Sequence, residues 1–454
     1  MNHFRLLYLF VVTFSLSCLA ETSWDIRNFG AVADGHTVNT AAIQAAIEAS
    51  HLAGGGEVLV TGGEFVTGTI LLKDGVILRV DAGSVLLGSD NPLDYLNIDP
   101  FVDATGQTRG KCLIGAVDAT NVGIVGSGTI DGRGGNYQPA VLRENLTRHG
   151  IDESRFKELA GDRPFLVRFV RSTHITLEDI HLRQPAAWTC HLFQCEQIVI
   201  RGVNIYSHAH RNNDAIDLDS SSHALIENCV IDSQDDAICF KSTSPMATHD
   251  VVVRHNTIKS DWGAVKFGTE AMGDFYNILV EDCHIHDTRG GGIKMLSVDG
   301  ANIHDVTLRN LVMHNVDMPI FIRLGERRRT YRDAPPQAVG SITDITISGI
   351  QATTRASADS RVTPPAGIFI TGTPGHRIGR ITLHDITITL PGGGTVEHTT
   401  AVVPEDEIRY PEFSFFGVLP AYGLYARHID QLVTDNLTFN LSTADARPER
   451  RIDR

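Results

Sequence analysis

Four short segments of the chain repeat one pattern: Asn213-Asp214-Ala215-Ile216-Asp217, Asp235-Asp236-Ala237-Ile238-Cys239, Trp262-Gly263-Ala264-Val265-Lys266 and Gly291-Gly292-Ile293-Lys294. In each, a small residue precedes a β-branched residue, and a polar residue follows. The successive steps, from Asp214 to Asp236, from Asp236 to Gly263 and from Gly263 to Gly291, are 22, 27 and 28 residues. A nearly fixed interval of this size is typical of one coil of a solenoid. The pattern therefore predicts that three acidic side chains and two lysines are brought to one place.

A related two-strand unit recurs along most of the chain. Alternate residues in each copy are apolar, so one side of each strand is expected to be buried. Asn, Asp or Gly stands between the two strands and permits the left-handed backbone of a sharp corner. The copies predict an all-β fold, a single-stranded right-handed parallel β-helix of about ten coils. They cover residues 122–130, 175–182, 198–205, 224–231, 251–258, 278–285, 306–313, 345–350, 381–388 and 432–439.

The N-terminal segment predicts a cap on this solenoid. Apolar residues at helical spacing predict a short helix over 40–52, with Asn39 as a candidate N-cap and the glycine run 54–56 as its end. Strands are expected at 57–60, 69–72 and 76–80. A helix in this place covers the exposed end of the core. A surface helix without a capping role is the alternative.

Composition limits the class of protein. The 454 residues include 42% hydrophobic and 20% charged residues, which is typical of a soluble globular protein. The formal net charge of −15 argues against a nucleic-acid partner. Six cysteines follow Cys18 without a metal-binding pair. We expect them to be mostly buried thiols, and only Cys190 and Cys195 are candidates for a bridge.

Residues 1–20 predict a signal peptide, with Arg5 followed by an apolar run and small residues up to Ala20. The run is too short to span a membrane. Lipid anchoring at Cys18 is the less favoured alternative. We therefore expect a secreted or periplasmic protein in which 21–454 form one domain. Its cap covers about 24–56, and its later coils, about 325–440, carry insertions at 327–338 and 391–422.

Several motifs resemble glycoside hydrolase family 28, the polygalacturonase family. The opening motifs are Phe-Gly-Ala-Val-Ala-Asp-Gly at 29–35 and Asn-Thr-Ala-Ala-Ile-Gln at 39–44, followed by the block 212–294 and the segment 410–428. The resemblance implies a pectin-lyase-like β-helix that hydrolyses α-linked uronic acids or related sugars with inversion. It further implies an acidic polysaccharide as partner, no metal or organic cofactor, no membrane span and a monomer.

The resemblance also implies roles for individual residues. Asn212-Asn213-Asp214 matches the family's first motif, and Asp235-Asp236 matches its paired aspartates. Asp235 is then the general acid, while Asp214 and Asp236 position and deprotonate water.

Two departures concern the family's basic residues. The family's histidine is absent at Gly263, and its arginine is absent at Gly292, although Lys294 is kept. These departures put the sugar in question more than the reaction. Lys266, Arg289 and Arg323 are the candidates to replace the missing groups.

The residues support hydrolysis independently of the resemblance. Asp235 and Asp236 are adjacent, and Asp214 is expected one strand spacing away, about 5 Å. Three carboxylates this close cannot all ionise cheaply, so one pKa should rise and leave a proton donor beside charged groups. Glycoside hydrolysis needs this division. The alternatives are a calcium site or simple corner residues, and the latter is the interpretation of Asp217, Asp219 and Asp232.

The sequence also offers candidates for substrate binding. Lys266 and Lys294 occupy one position on neighbouring coils, where an anion such as a uronate carboxylate would separate them; alternatively, each pairs with a nearby aspartate. Asn212 and the candidates Arg289 and Arg323 join them. The basic stretch 323–332 is either a wall of the cleft or a solvated loop.

Other candidates lie near the site in sequence. His208 is favoured over His191 and His210. Trp188 and Trp262 either stack on sugars or belong to the core. The competing functions are a polysaccharide lyase on the same fold, acting by β-elimination with calcium and a basic residue, and a non-catalytic carbohydrate-binding β-helix. Endo and exo cleavage are both open.

Overall fold

The computed structural model describes residues 23–453, so the predicted signal peptide and Cys18 lie outside it. The chain winds into a parallel β-helix with three faces, and most coils add one strand to each face. The first face contains β1 (Ser23–Asp25), β3 (Gly56–Val60), β6 (Val76–Val80), β10 (Thr120–Val125), β13 (Thr173–Glu178), β16 (Glu196–Arg201), β19 (Ser222–Glu227), β22 (Thr248–Arg254) and β25 (Phe275–Glu281).

The second face contains β2 (Asp34–Val38), β4 (Glu64–Thr67), β7 (Val85–Gly88), β11 (Thr129–Asp131), β14 (His181–Arg183), β17 (Asn204–Ser207), β20 (Val230–Ser233), β23 (Thr257–Ser260) and β26 (His284–His286). In the later coils one long strand crosses both faces. These strands are β28 (Asn302–Val316), β31 (Ile345–Thr354), β33 (Ile378–Leu390) and β35 (Ile429–Leu441), with the short β30 (Ser341–Ile342) beside β28.

The third face carries the four repeated segments with the candidate aspartates and lysines. It contains β5 (Ile70–Leu72), β9 (Thr108–Val117), β12 (Phe165–Val170), β15 (Cys190–Phe193), β18 (Ile216–Asp219), β21 (Ile238–Ser242), β24 (Gly263–Ala271), β27 (Gly291–Ser297), β29 (Ile320–Leu324), β32 (Ile368–Thr371), β34 (Leu424–Arg427) and β36 (Arg450–Asp453). One further strand, β8 (Asn97–Val102), pairs antiparallel with β9.

Strand register confirms the sequence repeat. Ile175 pairs with Ile198, Ile198 with Ala224, and Ala224 with Val251. The same column continues through the later copies of the unit. Each copy is therefore one coil, and its apolar residues form a single core cluster that extends from Ile26 to Phe439.

The corner between the first and second faces repeats one backbone conformation. The residues there all have φ between 48° and 64°, as the small polar residues of the repeat predicted. They are Asp179, Gly202, Asn228, His255, Asp282, Asn310, Gly349, Asp385 and Asn436. The left-handed conformation turns the chain once per coil and keeps the strands in register.

The N-terminal helix α1 (Thr40–Leu52) has the predicted bounds and packs Ile43 and Ile47 against the core, so the capping role is confirmed. The prediction of its N-cap was only partly right. Asn39 stands at the cap position, but its side chain makes no cap hydrogen bond. It accepts instead from the Val32 N–H at 2.7 Å and so anchors the preceding loop.

Insertions cover the outer side of the third face. They are the β8–β9 hairpin, a segment with helices α2 (Pro139–Arg148) and α3 (Phe156–Gly161), and the loops 325–340, 355–367 and 391–423. Short 3₁₀ helices lie at Ile26–Phe29, Gly134–Tyr137, Glu153–Arg155, Glu397–Thr400 and Phe413–Phe416. As a result every residue of β18, β21, β24 and β27 is buried, whichever way it points.

The six cysteines within residues 23–453 are buried and free, including Cys190 and Cys195. Among the helices of that part of the chain, none combines the length and the apolar character needed to cross a membrane.

The corner predicts a conformational effect at His255, which has φ of 57° and is exposed. His255→Val should lower the free energy of unfolding by about 1–2 kcal/mol, because a β-branched side chain is strained in the left-handed region. His255→Gly should not be destabilising by this mechanism. Urea denaturation measures both, and Thr257→Val within β23 serves as the control with ordinary strand geometry. Equal losses from both valine variants would contradict the role of the corner.

Candidate active site

The three predicted aspartates lie at the start of two neighbouring third-face strands. Asp214 precedes β18, and Asp235 and Asp236 precede β21. Ile216 pairs with Ile238, and the Ala215 N–H donates to the Asp236 carbonyl at 2.9 Å. Asp214 therefore stacks on Asp236, one coil away. The sequence predicted this stacking from spacing alone.

Their carboxyl groups converge. One oxygen from each of the three aspartates lies within 4.8 Å of the other two. Asp214 and Asp236 are 3% and 2% exposed, whereas Asp235 is only half-buried. The Asp236 backbone N–H donates to Asp235 Oδ1 at 3.0 Å, and the Asn212 amide donates to Asp235 Oδ2 at 3.5 Å. Asp235 is thus the member of the cluster that is open to a ligand.

Burial sets the protonation of the cluster. Burial and the charge of Asp235 raise the pKa of Asp214 well above its ordinary range. Burial and the charge of Asp236 raise the pKa of Asp235 to about 6. Both shifts favour the protonated form of a carboxyl group, which is the direction that the sequence analysis expected for one member of the cluster.

Lys241 is the functional residue that the sequence analysis missed. Its Nζ lies 3.4 Å from Asp214, 3.5 Å from Asp217 and 3.4 Å from Glu270, and 4.5 Å from the centre of the Trp188 ring. Burial alone would lower the pKa of Lys241, but the surrounding acidic groups raise it. Lys241 therefore stays charged and offsets the buried carboxylates. The sequence feature that could have indicated Lys241 is that it is a single lysine within the otherwise apolar part of β21.

The corner interpretation of Asp217 and Asp219 was wrong. Both lie within β18 on its outer side, where alternation with core residues places them under the insertions. Burial raises the pKa of Asp217 to about 8. Asp219 lies 3.0 Å from His191 Nε2, and that hydrogen bond helps to hold the pKa of Asp219 at about 2 despite its burial. Asp232 is likewise a strand residue, within β20.

The two predicted lysines occupy one column but are separately paired. Lys266 pairs with Lys294 in register. Lys266 Nζ lies 2.5 Å from Asp236 Oδ2, and Lys294 Nζ lies 2.9 Å from Glu412 Oε2. Lys266 therefore pairs with a nearby aspartate, which was the alternative to a shared anion, whereas the partner of Lys294 is a glutamate far along the chain. Their contact with substrate stays a prediction.

The remaining substrate-binding candidates occupy different environments. Asn212 lies in the site and also accepts from Arg109 and Arg163. His208 Nε2 lies 2.6 Å from Asp232 Oδ1 at the second face. Arg289 is exposed on the turn before β27. Arg323 is 1% exposed and donates to the carbonyls of Gly372, Glu405 and Asp406, so its guanidinium is enclosed by backbone.

His191, His210 and Trp188 have structural surroundings. The buried His191 lies 2.5 Å from Arg168 through Nδ1, and burial lowers its pKa to about 4. His210 Nδ1 lies 2.9 Å from Arg163. Trp188 is packed with Phe101 and Phe165. Trp262 differs, because it is half-buried one coil from Asp235 and the Arg361 guanidinium lies 4.1 Å above its ring.

The structure explains the two missing basic residues. A Cβ at Gly263 would lie 2.8 Å from Asp236 Oδ1 and 2.9 Å from Lys294 Cδ. A Cβ at Gly292 would lie 2.8 Å from both Met313 Sδ and the Pro319 carbonyl. Neither position can carry a larger side chain without a shift of its neighbours. Basic groups in this site must therefore come from other positions.

A calcium site is the alternative use of the same carboxylates. Their oxygens are close enough to share an ion. However, Lys266 at 2.5 Å and Lys241 at 3.4 Å already place positive charges against Asp236 and Asp214. A calcium ion at the cluster would be repelled by both ammonium groups. The donor set fits a protonated, lysine-compensated acid cluster better than a metal site.

Comparison with known proteins identifies the family. The model of glycosyl hydrolases family 28 matches residues 99–405. A probable polygalacturonase of Vitis vinifera is 30% identical over 66% of this chain and 62% of its own length. An exo-poly-alpha-D-galacturonosidase of Dickeya chrysanthemi is 27% identical over 64% and 55%. The chain thus spans less than two thirds of either relative.

The fold has a close counterpart among solved structures. The hyperthermoactive exopolygalacturonase of Thermotoga maritima superposes with a TM-score of 0.70 at 22% identity and covers 92% of each chain. This likeness establishes the right-handed parallel β-helix predicted from the repeat. With the family match over most of the helical coils, the chain belongs to glycosyl hydrolases family 28.

Proposed function

We propose that this protein hydrolyses α-glycosidic bonds in a pectin-like acidic polysaccharide, of galacturonan or rhamnogalacturonan type. The observation that carries the proposal is the convergence of Asp214, Asp235 and Asp236 within 4.8 Å beside two buried lysines. Family membership and the names of the relatives, which are polygalacturonases, support the same substrate class.

Asp235 acts as the general acid in this proposal. It is the most exposed carboxyl group of the three, and its pKa of about 6 keeps it protonated in mildly acidic solution. Its proton passes to the glycosidic oxygen as the bond to the anomeric carbon breaks. Asp214, beside Lys241, helps to hold a water molecule, and Asp236, paired with Lys266, accepts the proton of that water as it attacks.

Inversion is part of the proposal and depends on two carboxylates acting on one water. One oxygen of each carboxyl group lies within 4.8 Å of the other two, so two of the groups can contact the same water molecule. A retaining enzyme would need only one carboxylate as nucleophile. Here Asp214 and Asp236 both face the point of attack from stacked coils, an arrangement suited to orienting water.

The walls of the site favour attack at chain ends. The β8–β9 hairpin reaches the 325–340 loop, where Arg332 pairs with Asp99 and Arg329 donates to the Ala104 carbonyl. On the other side the 391–423 loop places Tyr410 and Glu412 against Lys266 and Lys294. These two walls confine the approach to the half-buried Asp235, while Asp214 and Asp236 are only 3% and 2% exposed. We therefore propose exo cleavage.

Product analysis on polygalacturonate and rhamnogalacturonan tests the reaction. The wild-type protein should release saturated mono- or disaccharides. Proton NMR should show that the newly released reducing end first has the anomeric configuration opposite to that of the cleaved bond. Asp235→Asn should lower kcat by about 10²–10⁴-fold, because the amide cannot donate the proton of a general acid.

Asp232→Asn, within β20 and paired with His208, is the matched control and should keep most of the activity. Products that absorb ultraviolet light and depend on calcium would instead establish a lyase. Binding without turnover, unchanged in Asp235→Asn, would establish a carbohydrate-binding protein.

The pH dependence follows from the raised pKa of Asp235. A general acid works only while protonated, so kcat should fall as the pH rises through about 6. The profile of kcat against pH, measured at saturating substrate, checks this limb. A rate that stays constant to pH 8 would show that another group carries the catalytic proton.

We also propose that the protein is exported, on the sequence of residues 1–20 alone. Sequencing of the N-terminus of protein recovered outside the cytoplasm should read Glu-Thr-Ser from position 21. A lipid-modified Cys18 at the N-terminus would favour the anchored alternative. The monomeric state stays a prediction.

A further inference from the structure

The basic groups around the site are almost all occupied by internal partners. Lys241, Lys266 and Lys294 each face a carboxylate. The surrounding arginines are bound to carboxylates or to backbone carbonyls. These are Arg109 with Asp103, Arg163 with the carbonyl of Arg211, Arg323 with the carbonyl of Gly372, Arg327 with Asp299 and Arg332 with Asp99. A uronate carboxylate needs a cation that is still free to donate hydrogen bonds.

Arg361 is such a cation. Its guanidinium makes no hydrogen bond to any residue within 23–453, and its buried Nη1 has an ionic contact but no hydrogen-bond acceptor there. The closest carboxylate oxygen, Glu412 Oε1, is 3.7 Å away, and it also lacks a hydrogen bond within the described chain. The side chain is 23% exposed, so a ligand can reach it.

The guanidinium is nevertheless held in place. It lies 4.1 Å above the Trp262 ring, and Trp262 directly precedes Gly263, whose N–H donates to Asp236 Oδ1. The Arg361 backbone N–H donates to the buried Asp317 at 2.7 Å, which fixes the 355–367 loop to the third face. A planar guanidinium stacked on an aromatic ring is pre-organised for bidentate contact with a carboxylate.

We infer that Arg361 binds the carboxylate of the uronic acid next to the cleaved bond and so determines the preference for acidic sugars. This inference rests on the proposed function. The sugar carboxylate is then bound by the insertion that forms the wall of the cleft. The floor of the cleft cannot provide an arginine at Gly292, because a side chain there has no room. Glu412 meanwhile neutralises Lys294, so the lysine kept from the family is already paired.

Arg289 is the alternative candidate for binding the sugar carboxylate, since it is exposed just before β27. No aromatic ring or hydrogen bond fixes its guanidinium within the described residues. A flexible arginine must lose more side-chain entropy on binding than one already stacked. The structure therefore favours Arg361.

The experiment compares trigalacturonate with its fully methyl-esterified form, which lacks the charges but keeps the sugar. In Arg361→Gln, kcat/KM on the acid should fall about 10- to 100-fold, the worth of hydrogen bonds to a charged group, while kcat/KM on the ester changes little. Arg361→Lys should lie between, because it keeps the charge and loses the planar fork. The matched control is Arg143→Gln on α2, which removes a guanidinium that lies 3.9 Å from the centre of the Phe156 ring on α3.

Binding of both trisaccharides to the Asp235→Asn protein separates recognition from turnover. The acid should bind this variant more tightly than the ester does, and adding Arg361→Gln should remove that difference. An unchanged acid preference in Arg361→Gln, or its loss in Arg289→Gln instead, would overturn the inference and leave the hydrolase intact. If the wild type neither binds nor cleaves either trisaccharide, the proposed substrate class fails and the inference with it.

Discussion

Parallel stacking of one coil on the next is the constraint on which the rest of the molecule depends. It holds equivalent side chains of neighbouring coils about 4.8 Å apart, so each charge meets the charge at the same position above and below. On the first face, the residues directly before the corner carry charges that alternate in sign from coil to coil. They are Glu178, Arg201, Glu227, Arg254, Glu281 and Arg309. Arg201, for example, pairs with both its neighbours, at 3.2 and 2.7 Å. Stacking that skipped a coil would place like charges together, so the ladder favours the native order of the coils.

The active site uses the same constraint with the opposite sign pattern. Asp214 stacks on Asp236 and brings like charges together in a buried place, where repulsion is far stronger than at the surface. Two lysines offset this repulsion: Lys241 in β21 lies beside Asp214, and Lys266 in β24 lies beside Asp236. Compensation is incomplete, and the pKa of Asp235 remains raised to about 6. In the proposed mechanism this residual mismatch leaves a carboxyl group that can act as the acid.

The parts that sequence predicted well are those set by local periodicity. The coil positions, α1 and the stacking of Asp214 on Asp236 follow from spacing, because each coil repeats its neighbour. Pairings made by insertions escaped prediction. Lys294 meets Glu412 across 118 residues, and no repeat connects the two. The error on Asp217 has another cause: buried strands carry polar residues on their outer side only when something covers them, and the sequence does not show the cover.

The third face and its insertions divide the work of the site. The floor must repeat from coil to coil, and glycines at 263 and 292 keep it close-packed around the aspartates and lysines. A side chain added there would collide with Asp236 or with the core, so the floor can hold the chemistry but has little freedom to change its ligands. The loops have no such restriction, because they leave the ladder and return to it. Arg361 reaches the site from a loop fixed to the floor through Asp317 and stacked on Trp262. Recognition can then vary with the loops while the spacing of the three carboxyl groups, which the ladder dictates, stays constant.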